Sequence, residues 1–121
     1  SPGARAAGAG PAINLLLTDC YEPDAQQRLV QGLSQLRATC RARHHADFAA
    51  LPAADRARLL RAIDAEARKA GATHYFALVR ELAENAYFSS ETGMTKALRY
   101  IRVPGRFVGC MPLAPGQPAW G

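Results

Sequence analysis

No stretch of this sequence is long and apolar enough to cross a membrane. The longest uncharged apolar run, Ile13 to Leu17, already contains an asparagine, and a spanning helix needs ~20 such residues. Strand-like alternation never persists for more than a few residues, so no sheet is expected. Its three cysteines occur without CxxC, CxxCH or a Cys/His cluster of zinc spacing, which argues against a bound metal or covalent haem. There is no Gly-rich phosphate loop after a strand, no GxSxG and no HExxH. No signal peptide opens the chain. Ser1-Pro2-Gly3 is an implausible native start, so an export segment is compatible with prior removal.

What is present describes one globular domain. At 121 residues, with 49% hydrophobic and 21% charged, the chain has enough material for a single core and is not disordered by composition. Fifteen Lys and Arg stand against ten Asp and Glu, a net charge of +5. The arginines are scattered, and the closest group, Arg37, Arg41 and Arg43, has no interleaved aromatics. Neither a dense basic stripe nor a nucleic-acid-reading motif is present, so nucleic acid is not the expected partner.

The pattern predicts an all-α protein, a single-domain bundle of four to five helices with an irregular Pro/Gly-rich C-terminal tail. Residues 1–10, SPGARAAGAG, have almost nothing to bury and predict an extended arm. A helical domain is expected over residues 11–102. Its first helix starts at Pro11 and carries Ile13, Leu16 and Leu17. After Glu22-Pro23-Asp24, a second helix carries Leu29, Val30, Leu33, Leu36 and Cys40 to about Arg43. Pro52 opens a third, with Leu59, Leu60, Ile63 and Ala67 as its stripe and Gly71 at its end. Thr73 is the expected N-cap of a fourth, in which Tyr75, Phe76, Leu78, Val79, Leu82, Ala86 and Tyr87 are apolar on two adjoining strips, and Met94, Ala97, Leu98 and Ile101 suggest one more short helix. Residues 103–121 hold four Pro and four Gly among Phe107, Val108, Met111, Leu113 and Trp120. That composition excludes a helix, and its apolar residues are expected to pack on the body or on a partner.

Candidate chemistry is sparse. His44 and His45 read as a solvated pair, His74 as a helix-start residue, and Asp64, Glu66, Glu81 and Glu84 as surface ion-pairing groups. No catalytic, cofactor-binding or metal-binding residue is assigned. If residues 24–40 are helical they span roughly 24 Å, which disfavours a Cys20–Cys40 bridge. Cys110 on the tail can reach either partner, and Cys20–Cys110 is the preferred pairing. The segment from Tyr87 to Met94 runs two aromatics into two hydroxyls, a carboxylate and a glycine. It suits a capped helix start, with Ser90 or Thr92 as cap, or an interface.

At these residues the sequence resembles the gluconate 2-dehydrogenase subunit 3 family. The resemblance rests on Ser1-Pro2-Gly3-Ala4 with Ala7-Gly8, on HYFALVRELAENAYFSSETGMTKALRY (residues 74–100) and on VPGRFVGC (residues 103–110). Pro112-Leu113 and Ala119-Trp120 add to it, whereas residues 22–72 match only in helical pattern. It implies a small, non-catalytic subunit of a complex that oxidises sugars, glycosides or sugar acids. The FAD then sits in a large flavoprotein subunit of the glucose-methanol-choline type, and electrons leave through a multihaem cytochrome c subunit carrying haem c. It further implies twin-arginine export and a periplasmic location, where disulfides are permitted. The export signal and the segment preceding the SPGA-like motif are absent here, so location rests on the resemblance. Tyr87, Phe88, Ser89, Glu91, Tyr100, Pro104, Phe107 and Trp120 are the residues assigned to partner contact. Two other classes stand against this reading: a free-standing helical enzyme using His74 with Glu91 or the Cys110 thiol, and a small basic nucleic-acid-binding domain.

Overall fold

Pro23, Pro52 and Gly71 punctuate the helical part of the chain, and each falls at a helix boundary. A computed structural model describes residues 3–103 and 105–120. It contains four α-helices: α1 (Ala9–Cys20), α2 (Pro23–His44), α3 (Ala53–Ala70) and α4 (Tyr75–Phe88). Single 3-10 turns at Phe48–Ala50 and Gly71–Thr73 precede α3 and α4, and a five-residue π-turn follows at Gly93–Ala97. No strand occurs among the described residues, so the class is all-α as expected. The chain divides into two compact units, Leu15–Leu82 and Ser1–Asn14 with Ala83–Gly121.

In the first unit the helix ends follow from the sequence. Glu22 is extended and Pro23 takes the first helical turn of α2, where its missing N–H costs nothing. Gln26 Nε2 donates to the carbonyls of Tyr21 (2.8 Å) and Thr18 (3.4 Å) at the end of α1. His45 closes α2 in the left-handed region, its N–H donating to Arg41 O at 3.1 Å. Pro52 caps α3, and the Gly71 N–H closes it on Ala67 O.

The buried apolar residues of this unit are Leu17, Leu29, Cys40, Leu51, Ala67, Leu78 and Leu82, with Cys40 and Leu82 wholly inaccessible. Burying one such leucine contributes about 1.5–3 kcal/mol. The buried stripe of α2 is narrower than its apolar pattern. Leu29, Gly32 and Cys40 are buried and Leu36 half-buried, but Val30 and Leu33 face outward. Gly32 belongs to the stripe because the Tyr75 ring packs directly on its backbone.

Polar links also tie α4 into this unit. Asp64 of α3 accepts from Arg68 Nε at 2.8 Å and from Arg80 of α4 at 2.7 Å. The bonds from Arg68 and then Arg80 hold its carboxyl below the usual carboxylate range. Tyr21 Oη donates to Glu81 Oε1 at 2.9 Å, and that bond pushes the phenol pKa up.

Several expectations are corrected. Residues 3–8 bend in successive turns, with Ala7 N–H donating to Gly3 O and Ala9 N–H to Ala4 O; the alanines there favour helical backbone over an extended arm. Thr73 is not the cap of α4, since its hydroxyl bonds back to Ala70 O. His74 takes that place, its Nδ1 accepting the Phe76 N–H at 3.2 Å. The expected short fifth helix is present as the π-helix Gly93–Ala97, but it ends before the residues expected to complete it, because Leu98 is already extended and Ile101 is exposed. Cys20, Cys40 and Cys110 are all free thiols. Cys40 serves as a small buried apolar residue.

Candidate partner-docking surface

The assigned contact residues lie in the second unit, and its local structure begins at the end of α4. Ala86 is buried, while Tyr87 is half-buried and Phe88 exposed. The two aromatic rings meet edge to face at 5.1 Å. Ser89 Oγ donates to Asn85 O at 2.6 Å, a bond back to the preceding turn on a carbonyl that also accepts the Ser89 N–H at 3.0 Å.

Ser90 is the cap of the turn that follows. Its Oγ donates to Tyr87 O at 2.6 Å and accepts the Gly93 N–H at 3.0 Å, so one hydroxyl closes α4 and opens the next turn. Gly93 is buried and lies directly against the backbone of Tyr87 and Phe88; a Cβ there would fall on the Tyr87 carbonyl oxygen. Glu91 is exposed and its carbonyl accepts the Thr95 hydroxyl at 2.6 Å.

Beyond Leu98 the chain runs out and returns. Ala114 O accepts the Gln117 N–H at 3.0 Å, with Pro115 and Gly116 between them and Gly116 at φ 77°, as a type II turn requires. Gln117 Oε1 also accepts the Ala114 N–H. The turn brings the chain end back to Arg99. The Arg99 N–H donates to Ala119 O at 2.8 Å, and its guanidinium lies 4.3 Å from the centroid of the Trp120 ring. A backbone bridge and a cation–π contact therefore fasten the two ends of this segment together.

Between these ends the apolar side chains point to solvent. Phe107 is 96% exposed, Val103 76%, Leu113 64% and Tyr100 48%. Trp120 itself is still 41% exposed. Pro104, also assigned to contact, lies outside the described residues. Tyr87, Phe88, Ser89, Glu91, Tyr100, Phe107 and Trp120 thus share one unit, and only Tyr87 among these aromatics is half-buried. Reading the sequence did not single out Arg99 as the partner of Trp120. No local pattern announces a contact across twenty residues of irregular chain; only the Pro-Gly turn signal hinted at a reversal.

The first unit has its own surface feature, a groove of about 210 Å³ lined by Gln35, Thr39, Arg43, Glu66, His74 and Tyr75 together with aliphatic residues of α2 and α3. His74 stacks on Tyr75 at 4.9 Å, and burial pushes the Tyr75 phenol pKa up. His74 belongs to this unit, whereas Glu91 and Cys110 belong to the other. No group of three or more His, Cys, Asp or Glu able to hold a metal occurs among the described residues. None of their helices is long and apolar enough to cross a membrane.

The fold and its outward apolar segment define a small all-α protein with a surface suited to contact with another macromolecule. The family model for gluconate 2-dehydrogenase subunit 3 matches residues 1–105, and the chain belongs to that family. The match ends at Gly105, so residues 106–121, including Phe107 and Trp120, lie beyond it. No curated protein and no solved structure matches the chain.

Proposed function

We propose that this chain is a non-catalytic small subunit that docks onto a large flavin-dependent dehydrogenase subunit, stabilises it and is exported with it to the periplasm. The large subunit is of the glucose-methanol-choline type and holds the FAD. A multihaem cytochrome c subunit with haem c completes the electron path, and the oxidised substrate is a sugar, glycoside or sugar acid. Family membership supports the assignment to a dehydrogenase complex. The observation that carries the docking role is the exposure to solvent of Phe88, Tyr100 and Phe107. Exposed apolar area of this kind is unfavourable in water and becomes favourable once a partner covers it.

The test is co-production of the large subunit with and without this chain. Soluble, flavin-loaded large subunit and dehydrogenase activity are expected with the chain and lost without it. An equally soluble, active and exported flavoprotein in its absence contradicts the proposal.

A further inference from the structure

The positive charge of this protein is not evenly distributed. After Glu91 the sequence holds Lys96, Arg99, Arg102 and Arg106 and no carboxylate, so the rest of the chain carries eleven cations against ten anions. Almost the whole net charge therefore resides in one C-terminal segment. None of these four cations enters an ion pair among the described residues, and all four are exposed. The same segment supplies eight of the twelve large apolar residues that are exposed among the described residues. Its two ends are fastened by the Arg99–Trp120 contact and the Arg99–Ala119 hydrogen bond.

We infer that residues 99–120 form a clasped docking loop that recognises an acidic groove with an apolar floor on the catalytic flavoprotein subunit, and that Arg99 is a positioning residue which holds the loop closed through Trp120. This inference rests on the docking reading above and adds the partner's surface chemistry and the device that presents the loop. Charge complementarity argues for an acidic partner: unpaired cations at the rim of a buried patch steer association and fix register. Apolar side chains that outnumber the cations argue for a groove and not a purely electrostatic contact. A hydrocarbon interior does not suit this segment, because its irregular, Pro- and Gly-rich backbone leaves N–H and C=O groups unpaired and lipid cannot satisfy them. A protein groove can. Fastening the ends before binding lowers the ordering cost of the encounter.

The experiment uses the full chain and the flavoprotein subunit released from the co-produced complex, with rebinding measured across a range of salt. Replacing Arg102 and Arg106 together by Gln is expected to raise Kd roughly three- to tenfold at low salt, with the difference vanishing at high salt. Phe107→Ser is expected to weaken binding at every salt concentration. Arg99→Gln is expected to move the emission of Trp120, the only tryptophan, to longer wavelength in the free chain and to slow association, while Arg99→Lys retains most of both. Circular dichroism of each variant establishes that the helices are intact.

Several results overturn the inference. If the wild-type chain binds the flavoprotein but these substitutions leave Kd and its salt dependence unchanged, the loop is not the docking element and the subunit reading survives. Unaltered Trp120 emission in Arg99→Gln removes the clasp. Equal or tighter binding of the wild-type chain to phosphatidylglycerol vesicles or to a single-stranded oligonucleotide than to the flavoprotein assigns the loop to another class of partner. No binding to the flavoprotein at all overturns the subunit reading itself.

Discussion

Tyr75 lies on Gly32 so closely that a Cβ added to the glycine would fall on the tyrosine ring. The contact joins the start of α4 to the middle of α2, and it explains a glycine inside a 22-residue helix. Alanine at position 32 gains helix propensity, about 1 kcal/mol, but must displace an aromatic side chain, at about 1–3 kcal/mol. Gly32→Ala is therefore expected to lower stability by up to about 2 kcal/mol, read from denaturant midpoints. In a Tyr75→Ala background the same substitution is expected to be neutral or stabilising. An equal loss in both backgrounds contradicts the contact.

Gly93 makes the second close approach, here to backbone that cannot rotate away. Gly93→Ala is expected to open the turn after α4 and to speed amide hydrogen exchange at Met94 and Leu98, whose N–H groups donate to Ser90 O and Gly93 O. Ser90→Ala removes both hydroxyl bonds of the cap and is expected to cost about 1 kcal/mol. Unchanged exchange in both variants contradicts the described turn.

Acid should weaken the link between α3 and α4. The guanidiniums of Arg68 and Arg80 hold the Asp64 pKa below its unfolded value. The stability this supplies is present above the ordinary carboxylate range and is lost as pH falls through the depressed, folded-state value. Asp64→Asn is expected to lower the melting temperature at pH 7, and its difference from wild type should shrink below about pH 4. A difference that grows on acidification contradicts the sign.

Thiol chemistry should divide the cysteines. Cys20 and Cys110 are exposed and free, and Cys40 is buried. A small thiol reagent is expected to modify two groups rapidly in the native chain and the third only as the chain unfolds. A single fast thiol under reducing-agent-free conditions contradicts the assignment.

The helices were legible in the sequence because their boundaries are made by residues with local mechanisms. Pro23 and Pro52 act through a fixed φ and a missing N–H, and the three- and four-residue spacing of Leu29, Leu78 and Leu82 with their neighbours places them inward. The misreadings fall where a distant contact outweighs a local preference. Val30 and Leu33 look like core, yet the inward position between them and Leu36 is taken by Gly32, because Tyr75 arrives there from 43 residues away. Thr73 is the better cap by propensity, but the 3-10 turn at Gly71–Thr73 shifts the helix start and leaves the position to His74. The docking surface was legible as an apolar tail that no helix can hold. Its clasp was not, since cation and ring are brought together only by the turn at Pro115-Gly116.

The central claim is that a second polypeptide covers the apolar loop of this chain. Hydroxyl-radical footprinting of Phe107, Met111, Leu113 and Trp120, in the free chain and in its complex with the flavoprotein subunit, tests it most directly. All four should be labelled in the free chain, where each is at least 41% exposed, and strongly protected in the complex. Undiminished labelling of these residues within a stable complex would contradict the account.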